Sequence, residues 1–372
     1  MPTIKRLKIA FFGSSLVSSY WNGAAIYYRG IIKALADRGH EVTFYEPDAF
    51  ERQQHRDIEN PDWATVVVYQ ADELHARRML QTAQSADIIV KTSGVGVLDE
   101  WLEREVLEPQ GKSRYASPLK IFWDVDAQAT LDRLQKDPDD PFRFLIPRYD
   151  FILTYGGGQP VIDAYLDLGA NQCHAIHSAL DPDMHYPELP AQQFSATLGF
   201  LGNRLPDREP RIHEFFFKAV RALPEMQFIL GGNGWENVAS QFDNLQYVGR
   251  VPPHDYNIFN SSPLAVLNIN RDSMARTGFS QPTRIFETAG TGACLIMDRW
   301  EGAEQFLKPG SEVLLASNGE EVISHLRNLT PEKARQIGEA ARVRVLTEHT
   351  YRHRALQFEE LIKACYPQRA IA

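Results

Sequence analysis

Cysteine is scarce in this chain of 372 residues: the three present, Cys173, Cys294 and Cys365, stand far apart. Their spacing fits neither a metal site nor a disulfide framework, and a reducing, cytoplasmic setting is the expectation. Long hydrophobic runs are missing as well. Nothing approaches the roughly 20 consecutive apolar residues that span a bilayer, so no transmembrane segment is expected. Near the N-terminus the apolar run after Lys8 covers only Ile9 to Phe12 before Gly13, too short for the core of a secretory signal. Positive charge is not in excess: 39 Lys and Arg stand against 48 Asp and Glu, a net charge of −9. Bulk charge therefore argues against nucleic acid or an anionic membrane as partner, though not against a local basic pocket. Neither an internal repeat nor a low-complexity tract is visible.

What the chain has is a regular alternation. Its length suits two domains, and its hydrophobic content of 44% supports two sizeable cores. "KIAFFGSS" reads as a strand, and "NGAAIYYRGIIKALADRGHEV" follows with Tyr28, Ile31, Ile32 and Leu35 at helical spacing and Gly39 as C-cap. "EVTFYEP" is the next strand, which makes a βαβ unit and implies a parallel sheet. Apolar runs at 64–69, 86–92, 119–125, 150–155 and 172–176 continue the pattern. "ALDPDMHYPELPAQQ", rich in Pro and acid, reads as a linker. The rhythm then restarts with "ATLGFLGNR" and runs to two closing helices near 331–346 and 349–365. The expected architecture is α/β, with two open parallel-sheet halves facing a cleft: an N-terminal domain over 1–185, a C-terminal domain over 186–348, and a last segment over 349–372. Ligands of such sheets bind outside the carboxyl ends of the strands.

The sharper chemical signals lie in the second half. In "SQPTRIFETAGTGACLIMD", Pro282 suits a first helical turn and Ser280 a cap, so Thr283, Arg284 and Glu287 share one helix face. Arginine at a helix N-terminus adds positive charge to the positive end of the dipole, and an anion placed there reverses the sign of that argument. Glu287, one turn on, is an acceptor suited to a pair of sugar hydroxyls. An Arg284–Glu287 ion pair on a helix surface explains the spacing equally well. Arg204 after "GFLGN", Arg250 after "QYVG" and Arg271 after Asn270 each stand just beyond a strand, where a ligand would lie. Together with Arg284 they point to an anion pocket. "GGNG" at 231–234 allows close backbone approach or simply makes a turn.

The first half offers less. "FFGSS", with Gly13 and Ser14, ends the first strand beside a helix, without completing a G-x-G-x-x-G fingerprint. "TYGGG", with Gly156 and Gly157, ends another. Asp124 and Asp126 of "WDVD" form a D-x-D pair, more often a two-acid turn than a metal site. His40, His177 and His213 read as structural or surface residues.

Several segments resemble two-domain nucleotide-sugar glycosyltransferases of the GT-B fold, in the CgeB-type branch grouped with family 1 and family 4-like transferases. They are "LADRGHEVTFYEPD", "YDFILTYGGGQPVIDAYLDLGANQCHAIHSALDPDMHYP", "GFLGNR", "LQYVGRVPPHDYNIFNSS", "LNINRD", "PTRIFETAGTGACLIMD" and "GSEVLLASNGEEV", in that order. The resemblance covers nearly the whole chain, most clearly over 145–350 and least over 50–120. It implies that Glu287 holds the donor ribose, that Gly202, Asn203, Arg204 and Arg284 face the diphosphate, and that Val248, Gly249 and Arg250 lie beside the base. Acceptor loops would lie in the first domain, around Gly13, Ser14, Gly156 and Gly157. Many relatives carry a second glutamate eight residues before the ribose glutamate, where this chain has Phe279.

The expectation is a metal-independent glycosyltransferase with a nucleotide-diphosphate sugar as co-substrate, UDP rather than GDP, no resident cofactor, and a glycan, protein or small-molecule acceptor. An inverting enzyme would need a base, for which Asp124 and Asp126 are the candidates. A 2-epimerase of nucleotide sugars on the same fold, or a non-catalytic sugar-nucleotide or glycan binder, are the alternatives. By the same resemblance the final helix crosses back to the N-terminal domain, with Phe358 and Leu361 in contact with it.

Overall fold

The computed structural model describes residues 5–108 and 117–365. The chain divides into two compact units, one formed by Met1–Ser178 with Tyr351–Ala372, the other by Ala179–Thr350.

The first unit is built on seven parallel strands: β1 (Lys8–Phe12), β2 (Glu41–Asp48), β3 (Thr65–Gln70), β4 (Ile88–Thr92), β5 (Leu119–Asp124), β6 (Phe151–Thr154) and β7 (Cys173–Ala175). Their order across the sheet is β3-β2-β1-β4-β5-β6-β7, so the winding reverses between β1 and β4. Successive side chains of a strand point to opposite faces. Phe12, Tyr45 and Phe122 therefore join one core with Ile89 and Ile152. Their neighbours Phe11, Phe44 and Trp123 stack on the other face, with Phe11 6.3 Å from Phe44 and 5.9 Å from Trp123 between ring centroids. A sheet coated on both faces needs apolar residues at consecutive positions, which is why its strands read as continuous runs rather than alternations.

The second face is closed by the helix Ala25–Asp37 and by the last helix, Tyr351–Cys365. Phe358 of the latter stacks on Trp123 at 5.8 Å and 14°. Tyr351 lies so close over Gly30 that a Cβ there would be 2.2 Å from its ring. Arg38 holds Glu359 with two hydrogen bonds, of 2.5 and 2.7 Å, and His40 meets the same carboxylate at 3.1 Å. His40 is thus structural. Apolar residues at Tyr351, Ala355, Phe358, Leu361, Ile362 and Cys365 give this helix one stripe, of which Tyr351, Ala355, Phe358 and Ile362 are buried and Leu361 is half-buried, while the Cys365 side chain lies outside the described ones.

The second unit has six parallel strands, β8 (Leu198–Leu201), β9 (Phe228–Gly231), β10 (Leu245–Gly249), β11 (Ala265–Asn268), β12 (Leu295–Asp298) and β13 (Leu314–Ala316), in the order β10-β9-β8-β11-β12-β13. The reversal falls between β8 and β11. The stretch read as a linker is fixed to this unit: Glu188 N and Ala191 N donate to Ser261 and Ser262 Oγ, and Asn257 Nδ2 donates to the Met184 carbonyl.

Candidate functional site

The carboxyl ends of β8, β9 and β11 gather the candidate residues of the second unit. Beyond β8 the chain runs through Gly202, Asn203 and Arg204. Gly202 N donates to Gly231 O at 2.9 Å and Arg204 N to Asn233 O at 3.0 Å, while Asn203 Oδ1 accepts from Asn233 N. Gly232 has φ +119, and a Cβ on it would lie 2.3 Å from the Gly202 carbonyl oxygen, so only glycine allows this approach. Gly232 N in turn donates to Gly249 O at 2.7 Å. The turns after β8, β9 and β10 are therefore tied to each other through backbone. Val248 and Gly249 are half-buried, and Arg250 is exposed.

Arg284 reaches this ridge, with Nη1 donating to the Leu201 carbonyl. Beside it is a residue that strand-end reasoning missed. Arg208 Nη2 donates to Asn203 O at 2.6 Å, its guanidinium lies 5.7 Å from the Phe200 ring, and its Nε is buried without a hydrogen-bond partner. Burial pushes the Arg208 guanidinium down to about 10; Arg284 and Arg271 push the same way, and Asp207 opposes. Arg284 and Arg271 thus add positive charge around the buried Arg208 guanidinium. Asp207 answers Arg271, whose Nε donates to Asp207 Oδ2 at 2.5 Å. Like charges around a buried guanidinium disfavour its charged form, and a diphosphate would supply the opposite charge with oxygen acceptors for several donors. Arg208 could have been found by the argument that singled out Arg284, since it is the N-cap residue of the helix Glu209–Ile212.

Arg204 does not join this group. Its Nε and Nη2 bind the two oxygens of Glu209, at 2.8 and 2.6 Å, and its guanidinium lies 6.0 Å from the Trp235 ring. Asn270 is buried at the end of β11: its N–H donates to Asp298 Oδ1 at 3.0 Å, its side-chain amide donates to Ser280 O, and its Oδ1 has no partner.

The helix carrying Glu287 spans Arg284–Gly290, with Thr283 as N-cap residue and no side-chain cap. The expected Ser280 cap is not formed, because the helical turn begins only where Ile285 N donates to Pro282 O at 3.2 Å, two residues beyond Ser280. Glu287 is the second residue with an unforeseen neighbour. His185 Nε2 lies 3.9 Å from Glu287 Oε1, and His185 Nδ1 is buried without a partner. Phe279, at the position where the resemblance leads one to expect glutamate, has a left-handed backbone (φ +49) and donates its N–H to Glu301 O at 2.6 Å.

In the first unit the D-x-D reading needs correction at Asp124. This carboxylate is fully buried, and both its oxygens are used: Oδ1 accepts from Ser93 Oγ at 2.7 Å and from Asp126 N at 3.0 Å, and Oδ2 accepts from Tyr165 OH at 2.5 Å. A group so enclosed ties β5 to its neighbours and has no free face for a substrate proton or a metal. Asp126 is exposed. Gly13 and Ser14 are buried at the end of β1, where Ser14 Oγ donates to Asn22 Oδ1. Gly156 and Gly157 make the buried turn into the helix Gly158–Asp167. His177 bonds backbone and His213 packs on Phe217 at 5.0 Å.

Residues 208–360 match a family model described as glycosyl transferase-like. No curated protein matches the chain. Among solved structures, sucrose-phosphate synthase of Thermosynechococcus elongatus is 16% identical with a TM-score of 0.65, covering 98% of this chain and 100% of its own. HepE of Anabaena, in complex with UDP-glucose, is 15% identical with a TM-score of 0.63, over 96% of this chain and 100% of its own. BGT of phage T4, in complex with its UDP-glucose substrate, is 13% identical with a TM-score of 0.58, over 96% and 99%. The chain thus has the GT-B fold of two Rossmann-like domains, and the family match together with this fold supports a glycosyltransferase. Among the described residues no helix is long and apolar enough to cross a membrane.

Proposed function

We propose that the protein is a metal-independent glycosyltransferase of the CgeB-type branch, acting in the cytoplasm with a UDP-sugar as donor. The observation that carries this reading is the cluster of Arg208, Arg271 and Arg284 at the reversal point of the second sheet. A diphosphate would offset the positive charge that Arg284 and Arg271 add around the buried Arg208. HepE was solved with UDP and with UDP-glucose, and BGT with UDP-glucose, which favours uridine over guanosine here. Glu287, one turn after Arg284, accepts the ribose hydroxyls. As the bond from the anomeric carbon to the diphosphate breaks, negative charge gathers on the leaving oxygen. Fixed guanidinium groups stabilise that charge more in the transition state than in the ground state, without a cation. Asp126 is the remaining acid for the acceptor side.

The test is UDP release from UDP-glucose, UDP-galactose and UDP-N-acetylglucosamine, with GDP-mannose for comparison, in EDTA. Turnover of a UDP-sugar in EDTA, lowered at least tenfold by Arg208→Gln, is the expected result. Activity that returns only with manganese would remove metal independence. An epimerised sugar released without acceptor would make the protein a 2-epimerase.

A further inference from the structure

The loops that follow β1 and β2 expose aromatic rings that no core requires. Trp21 is 81% exposed, Phe50 51% and Tyr20 38%. Trp21 and Phe50 also have left-handed backbones, at φ 47 and 55. Such a conformation costs a bulky residue about 1–3 kcal/mol and persists where the surroundings impose it. Here they do. Arg52 is buried, with Nη1 donating to the Ser14 and Val95 carbonyls and Nη2 to the Trp21 carbonyl, and its guanidinium sits 4.9 Å from the Phe50 ring. Asn22 Nδ2 holds the Ser15 and Ser18 carbonyls. Asp57 receives Ser19 N and Oγ and both Nη groups of Arg29. The Tyr20 ring stacks on His55 at 4.0 Å and meets Trp21 edge-on at 6.0 Å. Polar side chains thus fix the backbone, and the ring of Trp21 is left in water on the loop that follows β1.

We infer that Trp21, with Tyr20 beside it, is a stacking platform for a neutral saccharide, the acceptor of the transfer proposed above, on which this inference rests. A pyranose has an apolar C–H face that lies flat on an aromatic ring and a rim of hydroxyls that needs fixed polar partners. The rings of Trp21 and Tyr20 supply the first, and the His55 imidazole on which Tyr20 stacks supplies the second. An anionic membrane is a poorer fit. Between 51 and 60 three acids, Glu51, Asp57 and Glu59, stand against Arg52 and Arg56, so the segment has no basic excess.

The test applies the full chain and its Trp21→Gly variant to an array of defined neutral oligosaccharides, with Tm measured for both. Glycine relaxes the left-handed backbone, so the variant should melt no lower than the parent. Retention on a subset of saccharides, weakened at least tenfold in the variant, is the expected result. No retention by the parent, equal retention by both, or binding of phosphatidylglycerol vesicles instead would overturn the inference. A UDP-induced rise in Tm of the parent is recorded separately. Its absence removes the donor reading and leaves the saccharide result to be judged alone.

Discussion

Arg204 and Arg208 are four residues apart and have different surroundings. Arg204 is paired with Glu209 at the surface, where an ion pair contributes little. Arg204→Ala should weaken UDP by less than about 1 kcal/mol in calorimetry. A loss as large as that of Arg208→Gln would place Arg204 on the diphosphate after all. Glu287→Ala should weaken UDP by roughly 1–3 kcal/mol, because ribose hydroxyls lose a charged acceptor. The same variant should leave 2′,3′-dideoxyuridine diphosphate almost unaffected. An equal loss for both ligands would show that Glu287 does not read the ribose. These residues differ in how far the sequence exposes them. That Arg284 and Glu287 share one helix was legible from their spacing. Arg208 carries the same signal, as N-cap residue of the helix Glu209–Ile212, but stands seven residues beyond the end of β8. Asp124 was misread because its partners, Ser93 and Tyr165, are 31 and 41 residues away, and burial is a property of the fold rather than of a D-x-D pair.

At the scale of elements, the final helix is the informative case. Its apolar stripe was visible, but the Glu359 carboxylate buried with that stripe was not, since a lone acid on a helix reads as surface. Burial pushes the Glu359 carboxyl up, but hydrogen bonds from Arg38 and His40 more than offset this and hold it below its ordinary value. His40 is lowered, chiefly by burial. A base whose folded pKa is lowered contributes stability that is present above its unfolded value, near 6.5, and is lost as pH falls toward the folded one. Glu103, pushed up to about 7 by burial, acts in the opposite sense, losing stability as pH rises from about 4.5. The comparison must therefore be a difference between proteins. His40→Asn keeps an acceptor for the Leu7 N–H, which His40 Nδ1 now receives at 3.2 Å, and removes the titration. The stability difference between parent and variant should shrink below pH 6.5 in denaturant titrations. A difference constant from pH 7.5 to 5 would assign no titration to His40. Phe358→Ala should cost about 3–5 kcal/mol, as a buried aromatic stacked on Trp123. A loss below 1 kcal/mol would mean that the first unit does not need the helix.

For the whole molecule, two parallel α/β halves were legible because helical stretches lie between most of the strand runs. The order of strands was not, since sequence spacing does not say which runs pair, and the reversal points that locate a site emerge only from β1 beside β4 and β8 beside β11. Nor was the boundary after Ser178, because the Pro-rich stretch that follows has no period of its own and is held by side-chain hydrogen bonds to Ser261 and Ser262. Arg271 and Arg284 add positive charge around the buried Arg208 beyond the ends of β8 and β11, and the proposed function depends on an anion binding there. The most direct measurement is calorimetric titration of UDP into the full chain and into Arg208→Gln, in EDTA. One saturable site in the parent, weakened by about 1.5–3 kcal/mol in the variant while uridine binding is unchanged, is the predicted result. No binding heat in the parent, or equal UDP affinity in the two proteins, would contradict it.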